Sequence, residues 1–447
     1  MVFLRYYMNY VSGGFISGNP NEVDDNGDGS SGLGDAVFVV LLFLLACSSS
    51  PYLAWAFDEA TYFNVTDYGA IGDGHTENSQ AFLKAWDAAC KARVKSPTVY
   101  VPPKSRFLVN PVRFDGPCIG SEIYFLILGT VVAPDAPSAW KGKNASQWLA
   151  VTNTKGLSVA GFGVIDGQGK AWWDQSCKYH PQLKNCTTLA PTAWKFVGCN
   201  DSSIRNIRFI NSAQTHILVQ GCNGFLIQNV TIESPGNSPN TDGIHIQSTH
   251  RLNITNSKIT NGDDCISIGD EISDLTISNI QCTLGHGISV GSLGRSGNLV
   301  QVENITVTNC IFNDTTNGAR IKTWQAGRGY LKHVAFERLT FNNVKNPIII
   351  DQNYCDVRGA CPELETGVQI SNVSYRYAVG TSATLIAINL NCSKSVPCHG
   401  ISIESVELTS AITGKQVTAN CSNACGKEHD IVPGPCLLHE THQDTMI

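Results

Sequence analysis

The sequence lacks the features that would place it among nucleic-acid-binding or disordered proteins. Its 31 lysines and arginines stand against 37 aspartates and glutamates, a net charge of −6, so it has no broad basic face that could follow a polyanion. Only 15% of its residues are charged and 42% are hydrophobic, which is typical of a globular chain with a sizeable core. Recognition of an anionic ligand would therefore have to be local.

The sequence also lacks an apolar run long enough for a confident membrane span. Residues 36–46 (AVFVVLLFLLA) match the core of a signal peptide instead, although 35 residues precede them. We interpret residues 1–56 as an N-terminal extension with a signal-peptide-like segment, whose true start lies downstream of Met1 or whose first part is a gene-prediction artefact. A membrane anchor is the alternative. Residues 57–447 are predicted to form one domain.

Cysteine is abundant, and its number indicates an oxidising compartment. Seventeen cysteines and eleven Asn-x-Ser/Thr sequons predict a secreted glycoprotein with disulfide bonds. Cleavage of the leader would remove Cys47 and leave sixteen cysteines, which can all pair. Several sequons, such as those at Asn229 and Asn304, belong to a recurring sequence motif, N-[IV]-T-[IV], in which the asparagine can form a turn or a ladder between repeats. We therefore expect fewer than half of the sequons to carry a glycan.

Residues 63–90 predict a strand, a Gly/Asp turn and a single amphipathic helix. Capping residues and apolar positions at helical spacing indicate the helix: Asn78, Ser79, Phe82, Leu83, Trp86 and Ala89. No helix signal of comparable strength follows it. A lone helix before a long β region predicts a lid over the exposed end of a core.

A short β phrase recurs from about residue 157 onward. It reads IRNIRF (204–209), IQNVTI (227–232), ITNSKI (254–259), ISNIQC (277–282), VTNCIF (307–312) and FERLTF (336–341), with spacings of 23, 27, 23, 30 and 29 residues. Such a β-rich, turn-punctuated repeat is typical of a solenoid, and it predicts an all-β, single-stranded parallel β-helix with a short N-terminal capping helix. Residues one period apart then lie on neighbouring coils, about 4.8 Å apart. A β-sandwich with accidental spacing is the weaker alternative.

Four segments place polar side chains where the repeat would otherwise be apolar or neutral. They are SPNTDG (238–243), NGDDC (261–265), GHG (285–287) and RIK (320–322). Asp242 and Asp263 are 21 residues apart, Asp264 and His286 are 22 apart, and His286 and Arg320 are 34 apart. The four segments are therefore predicted to stack on one face. Each alone is more often an ordinary turn or surface pair, but their common spacing favours a site.

Three clustered aspartates suit glycoside hydrolysis with inversion. That reaction needs one protonated carboxyl and one carboxylate that activates water, roughly 6.5 to 9.5 Å apart. Mutual repulsion raises the pKa of at least one carboxyl in such a cluster. Gly262 is expected to permit a bend that brings both Asp263 and Asp264 outward, and the glycines beside His286 to let a ligand approach closely.

His286, Arg320 and Lys322 complete the predicted constellation. The imidazole can hold a carboxyl in the right protonation state or bind a sugar oxygen. Arg320 and Lys322 share a face of one strand, where a guanidinium and an ammonium suit a sugar carboxylate.

With these motifs in order, the sequence resembles the plant polygalacturonases of glycoside hydrolase family 28. The resemblance runs from about Phe63 to Cys436 and rests on SPNTDGIHI, GDDCISI, GHGISVGSLG, NGARIKTW and DQNY. It implies a right-handed parallel β-helix and hydrolysis of the α-1,4 linkages of homogalacturonan. It also implies a disulfide between Cys265 and Cys282 beside the site.

By the same resemblance each site residue has an implied role. Asp263 is the general acid, Asp242 and Asp264 activate the water, and His286 supports catalysis. The residues implied to bind substrate are Asn240, Arg320, Lys322 and Tyr354. Asn240 is also implied to steady Asp242.

These expectations define the partners and the competing functions. We expect a monomer that acts on pectin in the cell wall, with no cofactor or metal, no nucleic-acid partner and no stable membrane association after leader removal. Pectate lyase, a rhamnogalacturonan or xylogalacturonan hydrolase, and a non-catalytic pectin-binding protein are the alternatives. The choice between internal and terminal cleavage stays open, with internal cleavage slightly favoured.

Overall fold

The structure is a computed structural model that describes residues 61–184, 186–356, 360–362 and 364–439. The predicted N-terminal extension, its apolar run and the boundary at residue 56 lie outside the described residues. Among the residues described, no helix is both long and apolar enough to cross a membrane.

The described chain is built mainly of parallel strands, which are between 2 and 17 residues long. In chain order they are β1 Thr61–Asn64, β2 Asp73–Glu77, β3 Pro97–Val101, β4 Arg106–Leu108, β5 Val112–Asp115, β6 Ile123–Ile127, β7 Thr130–Val132, β8 Gln147–Thr152, β9 Leu157–Gly161, β10 Val164–Asp166, β11 Thr192–Val197, β12 Ser202–Arg205, β13 Arg208–Ile210, β14 Ile217–Gln220, β15 Asn223–Gln228, β16 Thr231–Glu233, β17 Ile244–Gln247, β18 Thr249–Thr260, β19 Ile266–Ile268, β20 Ile272–Thr283, β21 Ile288–Leu293, β22 Leu299–Asn313, β23 Asn317–Trp324, β24 Arg328–Val344, β25 Asn346–Tyr354, β26 Gln369–Ser382, β27 Ile386–Asn391, β28 Cys398–Ser410, β29 Thr418–Ser422, β30 Ala424–Val432 and β31 Leu438–His439.

The strands form two sheets that run the length of the tube. An eleven-stranded sheet, here called the site sheet, contains β5, β8, β11, β14, β17, β19, β21, β23, β25, β27 and β29, and the other twenty strands form the larger sheet. The pairings within both sheets are parallel, as between β17 and β19 and between β18 and β20. The predicted right-handed parallel β-helix is confirmed.

The phrases found in the sequence occupy one register through six coils. Their first residues pair in the order Ile204, Ile227, Ile254, Ile277, Val307 and Phe336. All six side chains are fully buried inside the tube. Because each coil adds an apolar side chain directly above the last, the core is a continuous stack.

The asparagine of the phrase forms the bend between two straight segments of the larger sheet. Asn206, Asn229 and Asn256 occupy equivalent positions with positive φ values of 59°, 53° and 53°. The Asn229 amide donates to Oδ1 of Asn206 at 2.7 Å, so the side chains also form a ladder between coils. Asparagine suits this position because it tolerates the left-handed region better than most residues.

The predicted helix is present and covers the first coil. Helix α1 (Ser79–Lys91) packs on β1, β3 and β5, and its own side chains Phe82 and Trp86 are buried in that contact. Asn78 stands at the N-cap, but its side chain accepts from the Ile71 backbone at 2.7 Å instead of capping the helix. A second, four-residue helix, α2 (Lys170–Trp173), was not predicted.

Disulfides tie loops and coil ends, but not every cysteine pairs. The bonds among the described residues are Cys90–Cys118, Cys177–Cys186, Cys265–Cys282, Cys355–Cys361, Cys392–Cys398 and Cys421–Cys436. The bond implied between Cys265 and Cys282 is present. Sixteen cysteines could all pair, but Cys199, Cys222 and Cys310 are buried free thiols.

Candidate active site

The turns that lead into β17, β19 and β21 bring the predicted polar residues together. The Gly243 amide donates to the Asp264 carbonyl at 2.9 Å, and the Cys265 amide donates to the Gly287 carbonyl at 2.8 Å. Asp242, Asp264 and His286 therefore stand at the same position on three successive coils. The next two strands of the site sheet, β23 and β25, carry Arg320, Lys322 and Tyr354.

Close packing between coils shapes the turn that holds Asp263 and Asp264. A Cβ on Gly262 would lie 2.1 Å from the Ser238 carbonyl oxygen, so only glycine fits there. The Asn261 amide donates to the Asp264 carbonyl at 2.8 Å and fixes the turn. Gly285 likewise serves packing, with a φ of +59° and its Cβ position 2.3 Å from the Asp263 carbonyl oxygen. These glycines are needed for contact between coils, whereas the sequence had suggested an outward bend and ligand access.

Asp263 binds two basic side chains. Its Oδ2 accepts from Lys178 Nζ at 2.6 Å, and its Oδ1 lies 3.0 Å from His286 Nδ1. Burial favours the neutral carboxyl, but the hydrogen bond and charge of His286 and the ammonium of Lys178 outweigh burial and hold the pKa of Asp263 well below its usual range. Asp263 is therefore ionised in the free protein.

Asp264 is the most deeply buried carboxylate of the three that the structure brings together. Its Oδ2 accepts from Lys322 Nζ at 2.7 Å, and its Oδ1 accepts from the Ser289 hydroxyl at 2.7 Å. Arg320 Nη1 lies 4.0 Å from the same Oδ1. The negative charge of Asp264 is thus compensated within the protein.

Asp242 has a different environment, in which no cationic side chain of the described residues is bonded to it. Its Oδ2 accepts from the Ser267 hydroxyl at 2.7 Å, and the same hydroxyl contacts His245 Nδ1 at 2.7 Å. Burial and, after it, the charges of Asp263 and Asp264 raise the pKa of Asp242 well above its ordinary value. Burial also lowers the pKa of His245 to about 4, so this imidazole is neutral near pH 5 and above.

Arg320, Lys322 and Tyr354 form a basic cluster beside the aspartates. The guanidinium and the ammonium each lie 5.5 Å from the centroid of the Tyr354 ring. Among the described residues, Arg320 Nε is buried and has no hydrogen-bond partner. A carboxylate that enters the cleft could satisfy this donor and the rest of the guanidinium fork.

The remaining predicted residue is Asn240, which lies in the turn two residues before Asp242. Asn240 is exposed in the turn with a φ of 55°, and the side chain that bonds Asp242 belongs to Ser267. Sequence reasoning missed Lys178, His245, Ser267 and Ser289. Ser267 and Ser289 occupy matching places in GDDCISI and GHGISV, one coil beyond the aspartates they bond, and that spacing was a usable signal.

Asp263, Asp264 and His286 offer ligand atoms within 4.8 Å of one another, the spacing of a metal site. However, both oxygens of each carboxylate already accept from donors, and two of these donors are the ammonium groups of Lys178 and Lys322. A divalent cation would be repelled by these two charges. The donor set therefore fits an anionic ligand better than calcium.

Comparison with protein families gives one match over most of the chain. The model described as glycosyl hydrolases family 28 matches residues 90–429. Polygalacturonase QRT2 of Arabidopsis thaliana is 44% identical over 363 residues, which cover 81% of this chain and 81% of that one. Polygalacturonase-2 of Solanum lycopersicum is 38% identical over 382 residues, which cover 85% and 82% of the two chains.

Solved structures share the same architecture. The endo-xylogalacturonan hydrolase from Aspergillus tubingensis superposes with a TM-score of 0.70 at 25% identity, over 81% of this chain and 96% of that one. The polygalacturonase from Erwinia carotovora ssp. carotovora gives a TM-score of 0.65 at 22% identity, again over 81% and 96%. The second likeness concerns the fold alone.

Proposed function

Because the chain belongs to glycosyl hydrolase family 28, we propose that it is a polygalacturonase that hydrolyses α-1,4-galacturonosyl linkages of homogalacturonan with inversion. The observation that carries the proposal is the meeting of three aspartates with Arg320 and Lys322 on adjacent coils. Relatives that are 38% to 44% identical are named polygalacturonases, which favours homogalacturonan over xylogalacturonan as substrate.

The roles of the aspartates follow from what inversion requires. Asp263 donates a proton to the leaving oxygen, while Asp242 and Asp264 position and deprotonate the attacking water. His286 bonds Asp263 and keeps its carboxyl oriented. Arg320 and Lys322 bind the carboxylate of a galacturonate unit, Tyr354 lines the neighbouring sugar site, and Asn240 also binds substrate.

The free protein favours a second assignment as well. Asp242 is the carboxyl that most readily holds a proton, since its pKa is raised, whereas the pKa of Asp263 is lowered. If the proton donor were Asp242, Asp263 would serve as the base. The two assignments predict different behaviour of the corresponding asparagine variants.

The deciding experiment measures reducing ends released from polygalacturonate and from an aryl oligogalacturonide. Asp263→Asn should lower kcat on the polymer by roughly 10²- to 10⁴-fold. It should keep most of its activity on the aryl substrate, whose leaving group needs no proton. Asp242→Asn should lose both activities, and Asp87→Asn, an exposed change in α1, should lose neither. If Asp242→Asn, and not Asp263→Asn, kept its activity on the aryl substrate, Asp242 would be the acid and Asp263 the base. A wild type without activity would refute the proposed hydrolase function.

The site of action is proposed to be the plant cell wall. Disulfides such as Cys90–Cys118 and Cys392–Cys398 require an oxidising compartment, which supports secretion. We propose that the secreted form is a monomer whose polymeric substrate lies along the site sheet. Product sizes in a short digest distinguish the modes of cleavage: a ladder of oligomers is expected for internal cleavage, and monomer alone for terminal cleavage.

A further inference from the structure

A lysine outside the repeats reaches the centre of the site. Lys178 lies 85 residues before Asp263, in a loop that the Cys177–Cys186 disulfide closes. The Cys177 amide donates to the Thr187 carbonyl at 2.9 Å. The backbone next to Lys178 is therefore held by both a disulfide and a hydrogen bond at Cys177. Its ammonium lies 2.6 Å from Asp263 Oδ2. Burial lowers the pKa of Lys178, but the charge of Asp263 and the hydrogen bond to it outweigh burial and raise the pKa, so the lysine stays charged.

This pairing conflicts with the chemistry required of Asp263. A carboxyl that donates a proton must first hold one, and Asp263 faces an ammonium on one oxygen and an imidazole on the other. The ammonium must therefore move before the acid can form. A negative charge brought by the substrate can draw it away, because homogalacturonan carries a carboxylate on each sugar.

Lys178 is better placed to move than the other cations of the site. Its side chain is 37% exposed, whereas those of Arg320 and Lys322 are 14% and 9% exposed. Lysine also carries its charge on a flexible four-carbon stem. The disulfide fixes the backbone, so the movement is confined to the side chain.

We propose that Lys178 is a positioning residue that pairs with Asp263 in the free enzyme and transfers to a carboxylate of the bound galacturonate chain, leaving Asp263 to take up the proton that it donates. The proposal rests on the proposed function and on Asp263 as the acid. It couples substrate recognition to formation of the acid, and it explains why a loop outside the coils is cross-linked beside the cleft.

The test compares the pH dependence of kcat and of kcat/KM in Lys178→Met, Lys178→Arg and wild type. The profile of kcat/KM reports the free enzyme, and the profile of kcat reports the complex. Without the ammonium, the basic limb of kcat/KM should move upward by about one to three pH units. The kcat profile should stay in place, and KM should rise about tenfold through loss of one charged hydrogen bond. Lys178→Arg keeps the charge and should restore the wild-type limb.

Lys184→Met is the matched control, since Lys184 is an exposed lysine in the same disulfide loop. It should change neither profile. Equal shifts in kcat and kcat/KM for Lys178→Met, or no shift relative to Lys184→Met, would overturn the proposal.

A binding measurement separates failure of this proposal from failure of the proposed function. On an Asp242→Asn background, calorimetry of trigalacturonate binding in two buffers of different ionisation enthalpy should show uptake of about one proton, which disappears in Lys178→Met. Binding without proton uptake would refute the role of Lys178 alone. An absence of binding in both, with a wild type that releases no reducing ends, would refute the function and the role together.

Discussion

Replacing Lys322 with methionine isolates the buried ion pair beneath the basic cluster. Lys322 Nζ lies 2.7 Å from Asp264 Oδ2, and the two side chains are 9% and 3% exposed. Without the ammonium, the carboxylate keeps the Ser289 hydroxyl at 2.7 Å and the Arg320 guanidinium at 4.0 Å. Breaking a buried pair by removing one partner costs about 3 to 5 kcal/mol, and the remaining contact with Arg320 places this variant near the lower value.

A double-mutant cycle separates the pair from the effect of lost packing. Asp264→Asn alone leaves a buried ammonium without its counter-charge and should also cost about 3 kcal/mol. The double variant removes both charges, so its loss should fall short of the sum of the single losses by about 3 kcal/mol. Unfolding in guanidinium at pH 7, followed by tryptophan fluorescence, measures the free energies of unfolding of the wild type, the two single variants and the double variant.

The control is Lys91→Met, which breaks the exposed Lys91–Asp87 pair at 2.7 Å and should cost less than about 1 kcal/mol. Additive losses in the cycle, or single losses as small as that of the control, would show that the Lys322–Asp264 pair is no stronger than a surface contact.

Two further predictions concern acid stability and glycosylation. Burial lowers the pKa of His216 from 6.5 to about 4. Between pH 6.5 and about 4, His216 is therefore protonated in the unfolded chain but neutral in the folded chain. Stability from this group is complete above pH 6.5 and falls by up to about 3 kcal/mol as the pH approaches 4. His216→Gln should flatten that dependence in urea unfolding at pH 7 and 4.5, and an unchanged slope would contradict it. Mass spectrometry of the secreted protein should find Asn229 without a glycan, because its amide nitrogen bonds Asn206 at 2.7 Å. It should find Asn144 with a glycan, because the bond made by its amide group within the described residues uses the oxygen, which accepts from the Ser146 backbone at 3.0 Å. A glycan at Asn229 would show that the ladder does not protect the sequon.

The coil register could be predicted because it depends on local, repeated chemistry. Each phrase buries its first apolar residue and bends at its third, so Ile227 above Ile204 and Asn229 above Asn206 follow from spacing alone. Alignment of the coils then brought Asp242 level with Asp264. Ser267 and Ser289 could have been found by the same counting, since each lies one coil beyond the carboxylate that it bonds.

Contacts that leave the repeat could not be predicted in this way. Lys178 belongs to a loop whose path depends on a disulfide and on backbone bonds, and no periodicity places it over Asp263. The even number of cysteines allowed all of them to pair, but Cys199 and Cys222 are free thiols buried in the tube, where the Cys199 amide donates to the Cys222 sulfur at 3.2 Å. The number of cysteines in the sequence therefore does not predict which of them form disulfides.

The charge balance of the site explains how an acidic chain can hold an acidic polymer. Residues 1–56 contain five acidic side chains and one arginine, so they account for −4 of the net charge of −6 and leave −2 for residues 57–447. Salt screens charges beyond about 8 to 10 Å. Within the cleft, Lys178 and Lys322 are bonded to Asp263 and Asp264, and the raised pKa of Asp242 leaves that carboxyl neutral over a wider acidic range. A substrate carboxylate must therefore compete with the aspartates of the protein for the same cations. Each cation that moves to the substrate carboxylate raises the proton affinity of the aspartate that it leaves. The proposed movement of Lys178 would therefore couple recognition of the acidic sugar to formation of the acid.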